Sequence, residues 1–482
     1  MALDAMKRRE LLRHLLLASA GASLVPATSL AALGCAPAMM ERTIVNVMLQ
    51  GAADLRFLFM PKPGTMGAAH EDLFWSARQK IYAAYRNDKA SYQDVFDLHY
   101  DVPQGQDFGI HKRCAWLTSQ FNAGRVAIVA NAYCSRNRRH DQSILNADAG
   151  DPDFAQLVHD RDGWGGRLVE QIGPGTKAVE LGDSISVFNK GSLQGERFAQ
   201  VVHAQNMRDI ALPDVENGGR PANRRDIIVR ALKGYYAART AEVQASKPAD
   251  WPYHAFFRHN QAFREFGGEI AQRLQECGDL PPSLLPADSG GDFALASGGF
   301  ARQCRNLYDV CLVPDLLNAR ALSMGYGGWD THGDEELRAG ANLEDIFGAD
   351  KGLDRATREI AAIGSNAPDK LTFYFASDFG RQLVSNGDFG TDHGRGTYTL
   401  VIGPDVRGGT YGEMFPVKES FEQDGKIPLT RHGADILGQT STVNILREVC
   451  EWVQPGSSDH VFPVYDPSAI EEDVSLSGLL RS

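Results

Sequence analysis

The chain reads as an α/β protein, a three-layer sandwich on a mostly parallel central sheet, and three observations predict it. Short, nearly continuous apolar runs recur along the sequence, each bounded by turn residues, as in strands buried on both faces. Segments with apolar residues at helical spacing lie between them, an alternation that favours parallel strands joined by crossover helices. The composition, 43% hydrophobic and 23% charged over 482 residues, excludes a disordered or fibrous chain.

Residues 1–38 are expected to stand outside this fold. Lys7-Arg8-Arg9 precedes a weakly apolar run at 15–33 that is rich in Ala, Ser and Gly and interrupted by Pro26. This is the arrangement of a twin-arginine export signal with Arg8-Arg9 as its pair, and Pro26 with the small residues argues against a stable membrane span. Ala36-Pro37-Ala38 has the small-x-small form of a cleavage site. The mature protein is then 39–482, delivered to the periplasm or the cell exterior. Leu33-Gly34-Cys35 offers a second ending, a lipidated Cys35, and membrane attachment is expected only in that case.

Five strands follow in order. Residues 44–49 run into Gly51-Ala52-Ala53-Asp54. Residues 126–130 follow a helix carrying Trp116, Leu117 and Phe121, and lead to Cys134-Ser135 and then Arg138-Arg139-His140-Asp141. Residues 319–324 run into Gly327-Gly328-Trp329-Asp330-Thr331-His332, and 371–376 into Ser377-Asp378-Phe379-Gly380-Arg381. The fifth run, 397–402, is preceded by Gly390-Thr391-Asp392-His393-Gly394. Helices are expected over 226–243, 259–274 and 354–363. The stretch 214–299 is helix-rich and then Pro- and Gly-rich, and reads as an insertion. Length alone suggests roughly three domains, but polar clusters that run from Asp54 to His393 need one continuous sheet to gather them.

In a parallel sheet the C-terminal strand ends share one edge, where ligands bind. Asp54, His140, Asp330, His332 and Asp378 are expected to converge there, with His393 reaching the same rim from its loop. Carboxylates and imidazoles without thiolates suit a divalent metal, with zinc, manganese, magnesium and calcium left undistinguished. Arg139 and Arg381 are candidates to clamp an anionic group. Local roles compete with these: Asp54 and Asp330 as helix caps, Asp378 as a turn former, Arg138-Arg139 as a solvated basic patch. The 61 acidic and 49 basic residues give a net charge of −12, which disfavours nucleic acid as a partner. The six cysteines beyond Cys35 form no CxxC pair, so they permit disulfides without fixing a pairing and argue against a thiolate zinc site.

The motifs carry a resemblance. Arg8-Arg9 with its apolar run, the segment from Gly51 to Asp54, the Arg-x-His segment at His140, and Gly163-Trp164-Gly165-Gly166-Arg167 all contribute. The most specific are Gly327 to His332, Ser377 to Arg381 and Gly390 to Gly396, in that order. Together they resemble the twin-arginine-exported family called domain of unknown function 1501, which is similar to the alkaline phosphatase and sulfatase superfamily. The resemblance implies one alkaline-phosphatase-like domain and a metal-dependent hydrolase of phosphate or sulfate esters. It gives metal-ligand roles to Asp54, Asp330, His332, Asp378 and His393; from their place on the same rim, His140, Arg139 and Arg381 are the expected catalytic residues. Small anionic esters or sulfated and phosphorylated glycans are the implied substrates.

Three departures stand against it. Arg139 occupies the position where the family usually has Ser in Arg-Ser-His, Asp378 replaces a usual Glu, and Asp54-Leu55-Arg56 replaces Asp-Gly-Leu-Asn. Ser135, Cys134 and Ser143 are nearby, and none sits in a nucleophile motif. A non-catalytic exported binding or assembly protein is therefore the alternative.

Overall fold

The computed structural model describes residues 38–481, apart from 64–73, 84–88, 97–98, 101–106, 159–160, 193–199, 211–223, 247–251, 416–434, 437 and 464–474. The expected export signal, except Ala38, lies outside the described residues, as does Cys35. Among the described residues no helix is long and apolar enough to cross a membrane.

The strands are β1 (Thr43–Leu49), β2 (Phe59–Pro61), β3 (His99–Tyr100), β4 (Phe108–Ile110), β5 (Val126–Tyr133), β6 (Lys177–Glu180) and β7 (Gln200–His203). After these come β8 (Ala319–Tyr326), β9 (Leu371–Ser377), β10 (Arg381–Ser385), β11 (Thr391–His393), β12 (Thr397–Ile402), β13 (Gly409–Tyr411) and β14 (Thr440–Ser441). All five expected runs become strands of one nine-stranded sheet, ordered β13-β5-β12-β9-β1-β8-β6-β7 with β14 beside β5. The short strands β6, β7, β13 and β14 complete it.

Strand β1 lies between β8 and β9 and is parallel to both, with Leu49 level with Tyr326 and Ser377. These three strands therefore end together. Only β12 runs against the rest, antiparallel to both β5 and β9. That reversal brings the residues preceding β12 to the edge where the other strands finish, and it is why His393 reaches the rim from in front of its strand.

Period-two alternation sends side chains into two cores. From β5, Val126, Ile128 and Ala130 face one layer while Ala127 and Val129 face the other, until Asn131, at φ 51°, shifts the phase and Ala132 joins the second. From β9, Phe373 and Phe375 go one way and Tyr374 and Ala376 the other. The first layer is closed by helices Ala115–Asn122, Gly298–Leu312, Glu335–Phe347 and Gly352–Ala362, through residues such as Trp116, Leu307, Leu343 and Ile360. Helices Trp164–Ile172 and Thr442–Val453 close the second through Leu168, Ile445 and Val449. Apolar burial on both faces makes the sheet a rigid platform, each fully buried aliphatic side chain contributing about 1.5–3 kcal/mol.

Two long helices, Arg224–Ser246 and Pro252–Glu276, occupy the stretch read as an insertion, followed by short turns of 3-10 helix at Pro282–Leu284 and Ala287–Ser289. Cys114, Cys134, Cys304, Cys311 and Cys450 are buried free thiols.

Candidate metal centre

Three loops leave the sheet edge side by side. The loop after β1 passes through Gly51, at φ 115°, and Ala52, at φ 60°. A Cβ on Gly51 would sit 2.7 Å from the Asp330 backbone nitrogen, so glycine here lets the loops after β1 and β8 touch. Trp329, fully buried, anchors the second loop in the core, and its backbone N–H donates to the Gln50 carbonyl at 3.3 Å. The hairpin β10–β11 carries His393 opposite Arg381. Gly390 lets this hairpin lie against the His332 backbone, 2.3 Å from where its Cβ would be.

On this rim His140, Asp330 and His393 present ligand atoms that all lie within 4.8 Å of one another. His393 Nε2 is 3.1 Å from Asp330 Oδ1. His332 Nε2 joins them, 3.2 Å from Asp330 Oδ1 and 3.1 Å from His393 Nε2. His140 Nε2 stands 3.9 Å from Asp330 Oδ1, buried and without a hydrogen-bond partner.

Behind the cluster stand groups that orient it. His140, the first residue of helix His140–Ala149, places Nδ1 2.5 Å from Asp378 Oδ2. His332 Nδ1 is 3.2 Å from Asp392 Oδ1. Asp330 accepts from Arg381 Nη2 at 2.6 Å. A carboxylate on the far ring nitrogen fixes an imidazole's tautomer and its direction, as in many metal sites.

The electrostatics agree with that arrangement. The hydrogen bond to Asp378 raises the pKa of His140 against partial burial. Partial burial pushes the Asp330 carboxyl up, but hydrogen bonds from Arg381 and His393, with the charges of Arg381 and His332, outweigh it and hold it at about 2. Burial lowers His393, with Arg381 adding to the effect against the hydrogen bond to Asp330. An ionised carboxylate beside a neutral imidazole at neutral pH is what a divalent cation requires.

The other expected residues sit elsewhere or do something else. Asp378 is fully buried and both its oxygens are engaged: Oδ1 accepts from the Gly51 and Ala52 N–H groups at 3.2 and 2.6 Å, and Oδ2 faces His140. It positions a ligand from behind. Asp54 precedes a short turn, Leu55–Leu58, without capping it, and its carboxylate instead pairs with Arg78 in a fully buried ion pair. Arg381 is also fully buried, donating to the carbonyls of Ala52, Thr391, Gly51 and Trp329 as well as to Asp330. A guanidinium so committed organises three loops and has no fork left for a substrate. Arg139 turns to solvent and pairs with Asp141 at 3.0 Å.

No side-chain nucleophile stands free here among the described residues that flank His140. Ser135 Oγ accepts from both nitrogens of Asn137, at 3.3 and 2.9 Å, and from Asn146 Nδ2. Ser143 Oγ points to Asn137, and burial pushes the Cys134 thiol up.

Sequence reasoning missed Asp392, Arg78 and Arg138. Asp392 directly precedes His393, and Arg138 lies two residues before His140, so both were within sight of the motifs. Arg138 Nη1 donates to the His393 carbonyl at 3.1 Å. No pattern around Arg78 signals an ion pair with Asp54.

Residues 315–427 match the family model described as "Protein of unknown function (DUF1501)", and no curated protein matches the chain. The matched segment holds Asp330, His332, Asp378, Arg381, Asp392 and His393. Over that segment, which carries most of the cluster and its supports, the chain is similar to the DUF1501 family.

Proposed function

We propose that the protein is an exported, metal-dependent hydrolase of phosphate or sulfate esters on an alkaline-phosphatase-like form of the α/β fold. The observation that carries the reading is the buried, unpartnered Nε2 of His140, which lies beside Asp330 and His393 while its other nitrogen is held by Asp378. An imidazole nitrogen without a hydrogen-bond partner, at the meeting point of a carboxylate and a second imidazole, is a donor suited to a divalent cation.

His140, Asp330 and His393 would hold the ion, with His332 beside them. Imidazole with carboxylate suits zinc or manganese better than calcium, which takes oxygen ligands. Bound there, a divalent ion supplies Lewis acidity toward an ester oxygen. The chain does the rest: Asp378 and Asp392 fix two imidazole rings, and Arg381 keeps Asp330 ionised and in place. With Ser135 and Ser143 engaged internally and Arg139 where a hydroxyl is usual, water is the expected attacking group. Small anionic esters and sulfated or phosphorylated glycans are the substrate class, met after export by the twin-arginine route.

The absence of a free hydroxyl beside His140 also favours a second reading, a non-catalytic exported protein that binds anions or glycans at the same rim. Elemental analysis of the purified protein, followed by aryl phosphate and aryl sulfate turnover in the metal-loaded form, separates the two. Bound metal with turnover that disappears in His393→Ala and Asp330→Ala supports the hydrolase. Bound metal with ligand affinity but no turnover moves the assignment to the binding protein, and a chain that takes up no metal overturns the metal centre itself.

A further inference from the structure

The geometry points to a second anion-binding subsite beside the cluster, formed by Arg138 and Arg395, which selects substrates carrying a further anionic group next to the one that is cleaved. The inference rests on the cluster being where an anionic ester binds, and it names which esters.

The two arginines flank the cluster histidines along the chain, Arg138 two residues before His140 and Arg395 two residues after His393. They converge on one carboxylate. Arg395 Nε donates to Asp435 Oδ2 at 2.8 Å, and Arg138 Nη1 lies 3.7 Å from the same oxygen. The Arg395 backbone N–H fixes the other oxygen, Oδ1, at 2.8 Å. Asp435 is thus committed, and two guanidinium charges share a single negative one. Arg138 is also tied to the rim by its bond to the His393 carbonyl.

Both side chains remain open to solvent, at 47% and 46%. Each guanidinium carries five N–H donors, and the contacts above leave most of them unused. This contrasts with Arg381, whose donors are consumed inside the protein, and with Arg139, which has its own partner in Asp141. Paired guanidinium forks of this kind match the oxygens of sulfate, phosphate or carboxylate. A singly charged ester at the cluster has no group to offer them. A glycan with a second sulfate on a neighbouring position does.

Calorimetric titration of the metal-loaded protein with a disulfated disaccharide and with its monosulfated counterpart tests the subsite without requiring turnover. The wild type should bind the disulfated sugar about tenfold more tightly, the scale of one charge-assisted hydrogen bond. That preference, read as the ratio of the two affinities, should vanish in the Arg138→Ala/Arg395→Ala double variant and return in part in Arg138→Lys/Arg395→Lys. Equal binding of the two sugars by the wild type, or a preference that survives the double alanine change, overturns the subsite. Lack of hydrolysis with the preference intact would count against the hydrolase reading alone.

Discussion

Asp378 and His140 meet at 2.5 Å, carboxylate oxygen to Nδ1, across a sequence separation of 238 residues. The carboxylate is fully buried and its second oxygen is occupied by two backbone N–H groups, so it has no freedom to swing toward the rim. His140 is therefore held with Nε2 in one direction, and that is the direction of Asp330.

Replacing Asp378 by Asn tests this relationship. The amide keeps the volume but loses the charge, and its nitrogen cannot accept from His140. Zinc affinity should fall by about 10–100-fold, the usual cost of losing a carboxylate behind a ligating histidine. Competition with a chromophoric chelator measures it, and an unchanged affinity would remove His140 from the ligand set.

Arg381 and Arg139 should respond in opposite ways. Arg381→Ala strands four backbone carbonyls and leaves Asp330 without its strongest partner. The expected loss is about 3–5 kcal/mol in urea unfolding, because several interior carbonyls lose their donor at once. Arg139→Ala removes one solvent-exposed contact, and should leave both the unfolding midpoint and metal binding within experimental scatter.

Gly51→Ala should damage the site through the backbone. The position needs φ 115°, and the new Cβ would meet the Asp330 nitrogen at 2.7 Å. A destabilisation of about 1–3 kcal/mol is expected from the strained conformation alone. Because the displaced neighbour is Asp330, metal affinity should drop with it. Thermal unfolding and metal titration of the same preparation check both.

Stability should also depend on pH through a residue outside the cluster. Burial pushes the Asp148 carboxyl up to about 7, against backbone hydrogen bonds from Phe188 and Val187. Between the ordinary carboxylate range and that value, the folded protein keeps a proton that the unfolded chain releases. Stability therefore falls as pH rises through this window, with a slope of up to about 1.4 kcal/mol per pH unit. Urea midpoints at pH 5 and pH 7.5 should differ less in Asp148→Asn than in the wild type. Equal slopes would show that Asp148 does not carry the effect.

The long strands were legible because each is a nearly continuous apolar run, from Ile44 to Leu49 and likewise for the other four. Strands such as β6 and β7, four residues each, carry too little pattern to stand out. The mostly parallel course followed from strands alternating with helices, but the one exception did not, and only the paired register shows that β12 is reversed. The cluster residues Asp330, His332 and His393 could be read from polar motifs beside the strands. What motifs cannot give is which side of a loop a carboxylate faces. Asp54 and Asp378 occupy strand ends as expected, yet Arg78 draws one inward and the Gly51 and Ala52 N–H groups hold the other behind His140.

The reversed strand has a consequence for how the protein can vary. The chain leaves the rim at the end of β9 and re-enters the sheet there at the start of β12, so everything between, including the β10–β11 hairpin, stays on one side of the platform. Changes in that excursion can reshape what the site admits while the strands beneath keep their register. In this protein the hairpin brings both a candidate ligand, His393, and its loop's Arg395, so on the proposed reading a single short segment would set both the cation held and the anion drawn to it.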